Sequence, residues 1–434
     1  MFDAMKTRTK RRHCLSIFDA AVAAVSPARF LPPNLPEPPE TGRLIILAAG
    51  KAAGSMAAAA ETHYLDVMKF PAERMLGLAA ARHGYGVPLR VMEALEAGHP
   101  VPDLASIAAA ERMLAIADTA EEGDLVLFLL SGGASANLVA PSGRITLDEK
   151  QKFTKALLRS GAPIEHMNAV RKHLSRIKGG RLAARVAPAR LVTIALSDVP
   201  NDDLSTIGSG PTVPDVTTLE DARAILARFS VEAPASITEA LLDPANETLK
   251  PNDSAFANAA ALIAARPMDA FVAATEEALR LGYRVVNLGS DLEGEARAIA
   301  AQHAQAAFRE AAVGGKVALL SGGELTVTIK GDGRGGPSQE YALALAIALA
   351  GAEGIVALAA DTDGTDGGGG APTDPAGAII DPTTLARASE LGIDAAAYLD
   401  RNDSTGFFAA LGDLHACGPT LTNANDIRVI LISD

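Results

Sequence analysis

Five short apolar runs, none alternating with polar residues, fix the layer architecture open to this chain: RLIILAAG at 43–50, LVLFLLSGG at 125–133, LVTIALSDV at 191–199, VALLSGG at 317–323 and IVALAAD at 355–361. Runs of this length, bounded by Gly or Asp, read as strands buried on both faces. Longer helical patterns separate them, so mostly parallel α/β layers are expected. With 434 residues the chain exceeds the size at which one core keeps growing, and two domains with a cleft between them follow. DPANETLKPND at 243–253 concentrates turn formers and sets the border near residue 245. Residues 341–360 are almost long and apolar enough to span a bilayer, but Gly351, Glu353 and Gly354 divide them into a buried helix feeding a buried strand.

In open α/β sheets ligands gather beyond the carboxyl ends of strands. Lys51 follows the first run and precedes a helix-forming segment, where a helix start already favours anions. Leu-Leu-Ser-Gly-Gly occurs twice, at 129–133 and 319–323, which makes Ser131, Gly132, Gly133, Ala134, Ser135 and Ser321, Gly322, Gly323 two candidate turns of backbone donors. Asp198 opens a polar loop at 197–215 and could orient or deprotonate a substrate hydroxyl, while Asp202 and Asp203 read as turn caps. Asp361, Asp363 and Asp366 follow the fifth run; they do not form an EF-hand loop but suit a hard cation shared with substrate phosphates.

The segment 321–341, SGGELTVTIKGDGRGGPSQEY, runs from a β-branched strand through packed glycines to an apolar helix. Gly331, Gly333, Gly335 and Gly336 would let amides face an open space, with Arg334 as a fixed positive fork, so a phosphorylated or otherwise anionic small molecule is expected here. Gly331, Gly333 and Gly336 also satisfy G-x-G-x-x-G, the dinucleotide fingerprint, although its acidic partner is displaced. In 168–186 Arg171, Lys172, Arg176, Lys178 and Arg181 cannot share one helical face, so most read as solvated, with Arg171 or Lys178 able to reach an anion. His99 in Gly-His-Pro reads as a positioning residue, and the chain has no G-x-S-x-G elbow.

A net charge of −13 argues against nucleic acid and anionic membrane surfaces as partners. Two cysteines, Cys14 and Cys417, fit a reducing cytoplasm rather than a disulfide framework. The basic start, Lys6 to Arg12, has no apolar h-region behind it and reads as a frayed, solvated end.

Taken together, AAGKAAGSMA, GHPVPD, LLSGGASA, NAVRKHLSRIKGGRLA, LSDVPNDDLSTIGSGPT, GDGRGGPSQE, AADTDGTDG and GPTLTNANDI resemble the glycerate 2-kinase family, the two-domain class with a C-terminal MOFRL domain, over almost the whole chain. The resemblance implies a Rossmann-like three-layer αβα domain with a mostly parallel sheet over residues 1–245. A smaller α/β domain with a mixed sheet is implied over residues 246–434. It implies transfer of the ATP γ-phosphate to D-glycerate with Mg²⁺, giving 2-phosphoglycerate, and Lys51 matches the family's active-site lysine. Where the family has an arginine in G-G-R-N-Q-E this chain has Pro337, and Arg334 is expected to supply the charge instead. The expected partners are ATP and the small acid, with homo-oligomer formation left open. Some family members carry the label hydroxypyruvate reductase, so NAD(P)H-dependent reduction is the alternative chemistry.

Overall fold

The computed structural model describes residues 2–433. The chain divides into two compact units, one of Phe30–Ala265 and one built from the N-terminal segment through Arg29 together with the chain from Arg266 onward.

The first unit carries a six-stranded sheet of β1 (Leu44–Ala49), β2 (Met75–Arg82), β3 (Glu93–Ala97), β4 (Leu125–Leu130), β5 (Arg190–Leu196) and β6 (Ala259–Ala265). Its strand order is β3-β2-β1-β4-β5-β6 and every pairing is parallel. That is the order of the Rossmann sheet. All residues of β1 and β4 are buried, and because successive side chains point to opposite faces, both faces must be covered. Leu47, Leu78, Val126 and Phe128 pack with Met113 and Leu114 from the helix Leu104–Ala117. Each such side chain contributes about 1.5–3 kcal/mol through burial. The turn-rich stretch expected to end this domain near residue 245 lies inside the unit. The reason is β6, which comes after that stretch and hydrogen-bonds alongside β5.

The second unit contains β7 (Arg284–Asn287), β8 (Gly294–Glu295), β9 (Val317–Gly323), β10 (Leu325–Thr326), β11 (Ile355–Asp361), β12 (Gly377–Ile380), β13 (Leu414–His415) and β14 (Asp426–Ile432). Its main sheet runs β13-β12-β11-β14-β9-β7, antiparallel except for β7 beside β9, so it is mixed. The helix Pro337–Leu349 followed by β11 is the buried helix-to-strand passage expected for residues 341–360. Among the described residues no helix is long and apolar enough to cross a membrane.

The N-terminal segment is not a solvated fray. It forms the helix Phe2–Ala24, whose Cys14, Ile17, Phe18 and Ala21 are buried within the second unit. Lys10 donates to the carbonyls of Gly354 and Ser433 at 2.6 and 2.7 Å, and Arg11 pairs with Asp381 and Asp413 at 2.7 and 2.8 Å. Lys10 and Arg11 of this basic segment are therefore anchors, which composition alone does not reveal.

Candidate active site

In the parallel sheet β1 and β4 are neighbours, and the strands that follow them, β2 and β5, lie toward opposite edges of the sheet. A crevice outside their carboxyl ends is the expected ligand position in this topology. Lys51 stands there. Gly50, at φ 116°, turns the chain out of β1 in a conformation that side chains rarely adopt. The Lys51 amide donates to Gly132 O at 2.8 Å, and the Ala52 amide donates to Ser131 Oγ at 3.0 Å. Ser131 also donates its own amide to Ala49 O at 3.0 Å and is fully buried. Its hydroxyl and amide are thus committed to the Lys51 loop. Ser131 positions the lysine and does not offer the ligand contact expected of it.

The next two residues bring three strand ends together. A methyl group added at Gly132 would overlap the carboxylate of Asp198, which follows β5. One added at Gly133, at φ 84°, would lie 3.0 Å from Nε2 of His99 and 3.2 Å from Cγ of Lys51. Lys51, His99 and Asp198, each half-buried, therefore surround the bend at the end of β4. Asn137 fixes the approach of His99 by donating to the carbonyls of Ala97 and Gly98 at 3.3 and 3.2 Å. Asp203 caps its turn as expected, accepting from the Ser205 amide and hydroxyl at 2.9 and 2.7 Å.

The basic segment after residue 168 is largely folded inward, against the expectation of a solvated face. Lys172 is buried and paired with buried Asp215 at 3.2 Å. Lys178 is buried too, with Nζ on Ser135 Oγ at 2.7 Å and on Ser135 O at 3.2 Å. Arg171 donates to Asn168 Oδ1 at 3.4 Å, and burial lowers its pKa. Lys150 was not singled out from sequence, yet burial, helped by the nearby Arg171 charge, pushes it down to about 8. A signal was present: in the helix Leu147–Arg159, Lys150 shares a face with buried Phe153 and Leu157 at i+3 and i+7.

The glycine-packed segment of the second unit is filled by the protein itself. The Gly331 amide donates to Asn402 Oδ1 at 3.0 Å, that of Gly333 to Arg401 O at 3.0 Å, and that of Arg334 to Asp403 Oδ1 at 3.2 Å. Gly335 and Gly336 pack closely against Ser404 and Asp366. The start of the helix Pro337–Leu349, where a phosphate was expected, is capped by Asp366, whose carboxylate accepts from the amides of Ser338 and Gln339 at 3.0 and 2.7 Å. Burial, reinforced by Asp426, raises the Asp366 pKa to about 8. These glycines permit close backbone packing and do not form an open cradle. They also lie outside the parallel sheet, which removes the dinucleotide reading. The Arg334 side chain is 70% exposed, with Asp374 at 3.5 Å.

The second Leu-Leu-Ser-Gly-Gly is likewise not a turn. β9 runs through Gly323 because β14 pairs with it to the end, Asp426 opposite Gly323. Arg428 is buried across it, donating to Ser321 Oγ at 3.0 Å, to Gly323 O at 3.2 Å and to Gly322 O. Ser321, Gly322 and Gly323 are thereby occupied within the sheet and do not line a ligand site.

Asp361 ends β11 half-buried and accepts the Asp363 amide at 2.9 Å, while Asp363 accepts from the Thr365 amide and hydroxyl at 2.8 and 3.1 Å. No group of three His, Cys, Asp or Glu side chains fit to cage a metal occurs among the described residues. Two neighbouring carboxylates still suit Mg²⁺, which keeps water and substrate phosphate as its other ligands.

Comparison with known proteins finds relatives over the whole chain. Residues 13–242 match the family described as Domain of unknown function (DUF4147), and residues 317–426 match the MOFRL family. The D-glycerate 2-kinase of Thermotoga maritima is 39% identical over 433 residues, covering all of both chains. A relative from Agrobacterium vitis, named only provisionally as a hydroxypyruvate reductase, is 48% identical over 96% of this chain and 93% of its own length. The crystal structure of a glycerate kinase from Thermotoga maritima superposes with a TM-score of 0.83 at 38% identity, covering 98% of this chain and all of that one. With both family segments present in order and full-length kinase relatives on the same fold, the chain belongs to the glycerate 2-kinase family, the class that joins a DUF4147 domain to a MOFRL domain.

Proposed function

We propose that the protein transfers the γ-phosphate of ATP to the 2-hydroxyl of D-glycerate, giving 2-phosphoglycerate and ADP. The observation carrying this reading is the meeting of Lys51, Asp198 and His99 around Gly132–Gly133 at the switch point of the parallel sheet. Phosphoryl transfer asks for alignment and charge neutralisation more than covalent chemistry. In the proposal the Asp198 carboxylate orients the acceptor hydroxyl and takes its proton, and the Lys51 ammonium offsets charge on the transferring group. The turn of Gly132, Gly133, Ala134 and Ser135 holds substrate oxygens, Arg171 draws in an anion, and His99 shapes the wall.

In the second unit, exposed Arg334 contributes positive charge, and Asp361 and Asp363 hold Mg²⁺. When bound, the ion neutralises phosphate charge and helps fix the phosphate geometry. Compaction on substrate binding is part of the proposal; small-angle scattering should show smaller dimensions when ATP and glycerate are both present. Cytoplasmic function in a reducing compartment belongs to it as well.

Reduction of hydroxypyruvate would need a bound nicotinamide, and β1 is followed by GKAAG rather than by the dinucleotide fingerprint. One experiment decides between them. The chain is incubated with ATP, Mg²⁺ and D-glycerate while ADP is followed, and in parallel with NAD(P)H and hydroxypyruvate. ADP formation with the phosphate on C2 by ³¹P NMR is expected, and cofactor oxidation without ADP would overturn the proposal.

A further inference from the structure

Beside the bend at Gly133 the first unit holds a cavity of about 340 Å³ whose lining includes Pro100, Ser135, Lys150, Lys155, Arg171 and Lys178, and no Asp or Glu. Pro100 follows His99, and Ser135 lies two residues beyond Gly133, so the cavity adjoins the cluster around Lys51 along the chain.

Three of the four cations are half-buried or buried, and only Lys155 is exposed. The partners of Lys178 are neutral: the Ser135 hydroxyl and carbonyl at 2.7 and 3.2 Å, and Gly208 O at 3.4 Å. Lys172, one residue after Arg171, shows that the fold does supply a buried counter-charge where a lysine is structural, since Asp215 sits 3.2 Å from it. Buried cations without a carboxylate are costly unless an anion joins them. Consistent with this, burial pushes Lys178 well below its usual range, with Lys150 and Arg171 adding to the effect. A monocarboxylate such as glycerate would answer one of these charges, whereas a polyphosphate answers three or four.

We propose that this cavity is the polyphosphate pocket of the nucleoside triphosphate, with Lys150, Arg171 and Lys178 gripping the chain of phosphates and Lys51 meeting its transferred end. The assignment deepens the kinase reading and rests on it. It gives the positive charge of residues 150–178 a ligand class, and it distinguishes this site from a P-loop, which relies on backbone amides and a single lysine.

The test is calorimetric titration of the full chain with inorganic tripolyphosphate and, separately, with D-glycerate, in the wild type and in Lys178→Met and Lys150→Gln. Melting temperatures serve as the folding control, and Lys150→Gln, on a half-exposed helix face, keeps the test valid if Lys178→Met does not fold. Each variant is expected to weaken tripolyphosphate by about 10-fold or more, to raise KM for ATP more than it lowers kcat, and to leave glycerate affinity within about twofold. Unchanged tripolyphosphate affinity overturns the assignment, as does selective loss of glycerate binding, which would give the cavity to the acid. Because binding is read without turnover, the two readings fail separately. A chain that binds tripolyphosphate through these lysines but does not phosphorylate glycerate loses the function and keeps the pocket. One that phosphorylates glycerate with a normal KM for ATP in both variants keeps the function and loses the pocket.

Discussion

The same five letters, Leu-Leu-Ser-Gly-Gly, end up in opposite roles. At 129–133 the strand stops at Leu130, and the Ser-Gly-Gly becomes a bend that gathers Lys51, His99 and Asp198. At 319–323 the strand continues through both glycines, and a buried arginine closes over them. The difference lies in the neighbours. β4 sits between two parallel strands, β1 and β5, and its exit faces the sheet's switch point. β9 has an antiparallel partner, β14, in register to its last residue. A glycine pair therefore marks close approach in both places, and only topology decides whether it opens onto a cluster of polar side chains or stays within the sheet.

Substitutions can break or sharpen this contrast. The largest effect is expected for Arg428→Ala, which strips the second copy of its cover and leaves the buried carboxylate of Asp426, 3.1 Å away, without its partner. A loss of about 3–5 kcal/mol in denaturant unfolding is expected. Gly132→Ala should instead cut turnover by about 10²-fold or more with little change in melting temperature. Its nearest contacts are the side-chain atoms of Asp198, whose carboxylate the methyl displaces. Lys51→Ala is expected to lower kcat by about 10²-fold with the fold intact, and near wild-type turnover would take the lysine out of the mechanism. Gly322→Ala reverses the pattern of Gly132→Ala: the methyl would lie 2.6 Å from the backbone carbonyl of Ser290, so about 1–3 kcal/mol of stability is lost while kcat per folded molecule holds.

The smallest effect concerns acid. In the first unit burial alone would raise the Glu247 carboxyl, but hydrogen bonds from Lys250, the Leu219 amide and His173 outweigh it and hold the group at about 2. Its contribution is present above the ordinary glutamate range and is lost as pH falls toward 2. Glu247→Gln should flatten that acid limb in circular-dichroism titrations.

How much was legible from the letters follows the same division. The five apolar runs announced five of the main strands, and the residues after the first three runs, Lys51, Ser131 to Ser135 and Asp198, do converge, because parallel strands deliver every carboxyl end to one edge. Three strands of the parallel sheet, β2, β3 and β6, lie outside those runs; β6, Ala259–Ala265, is alanine-rich and only partly buried, so its apolar signal is weak. The reading failed most at Gly331–Gly336, where a phosphate cradle was expected. Nothing local to that stretch tells that Asp366, thirty residues later, caps the helix, or that Arg401 O and the side chains of Asn402 and Asp403 accept its amides. Lys150 escaped for the converse reason, and so did the burial of Lys178, already named as able to reach an anion, since a buried cation has the same letter as a solvated one.

The helix Phe2–Ala24 carries a consequence for the order of events during synthesis. It leaves the ribosome well before the segments that bury Ile17 and Phe18, which begin only at Arg266, after the whole of Phe30–Ala265 has been made. At about 5–20 residues per second that interval is on the order of tens of seconds. During it the parallel sheet can assemble while the apolar side chains of this helix stay unclaimed, so the nascent chain has a built-in interval in which it depends on protection from aggregation.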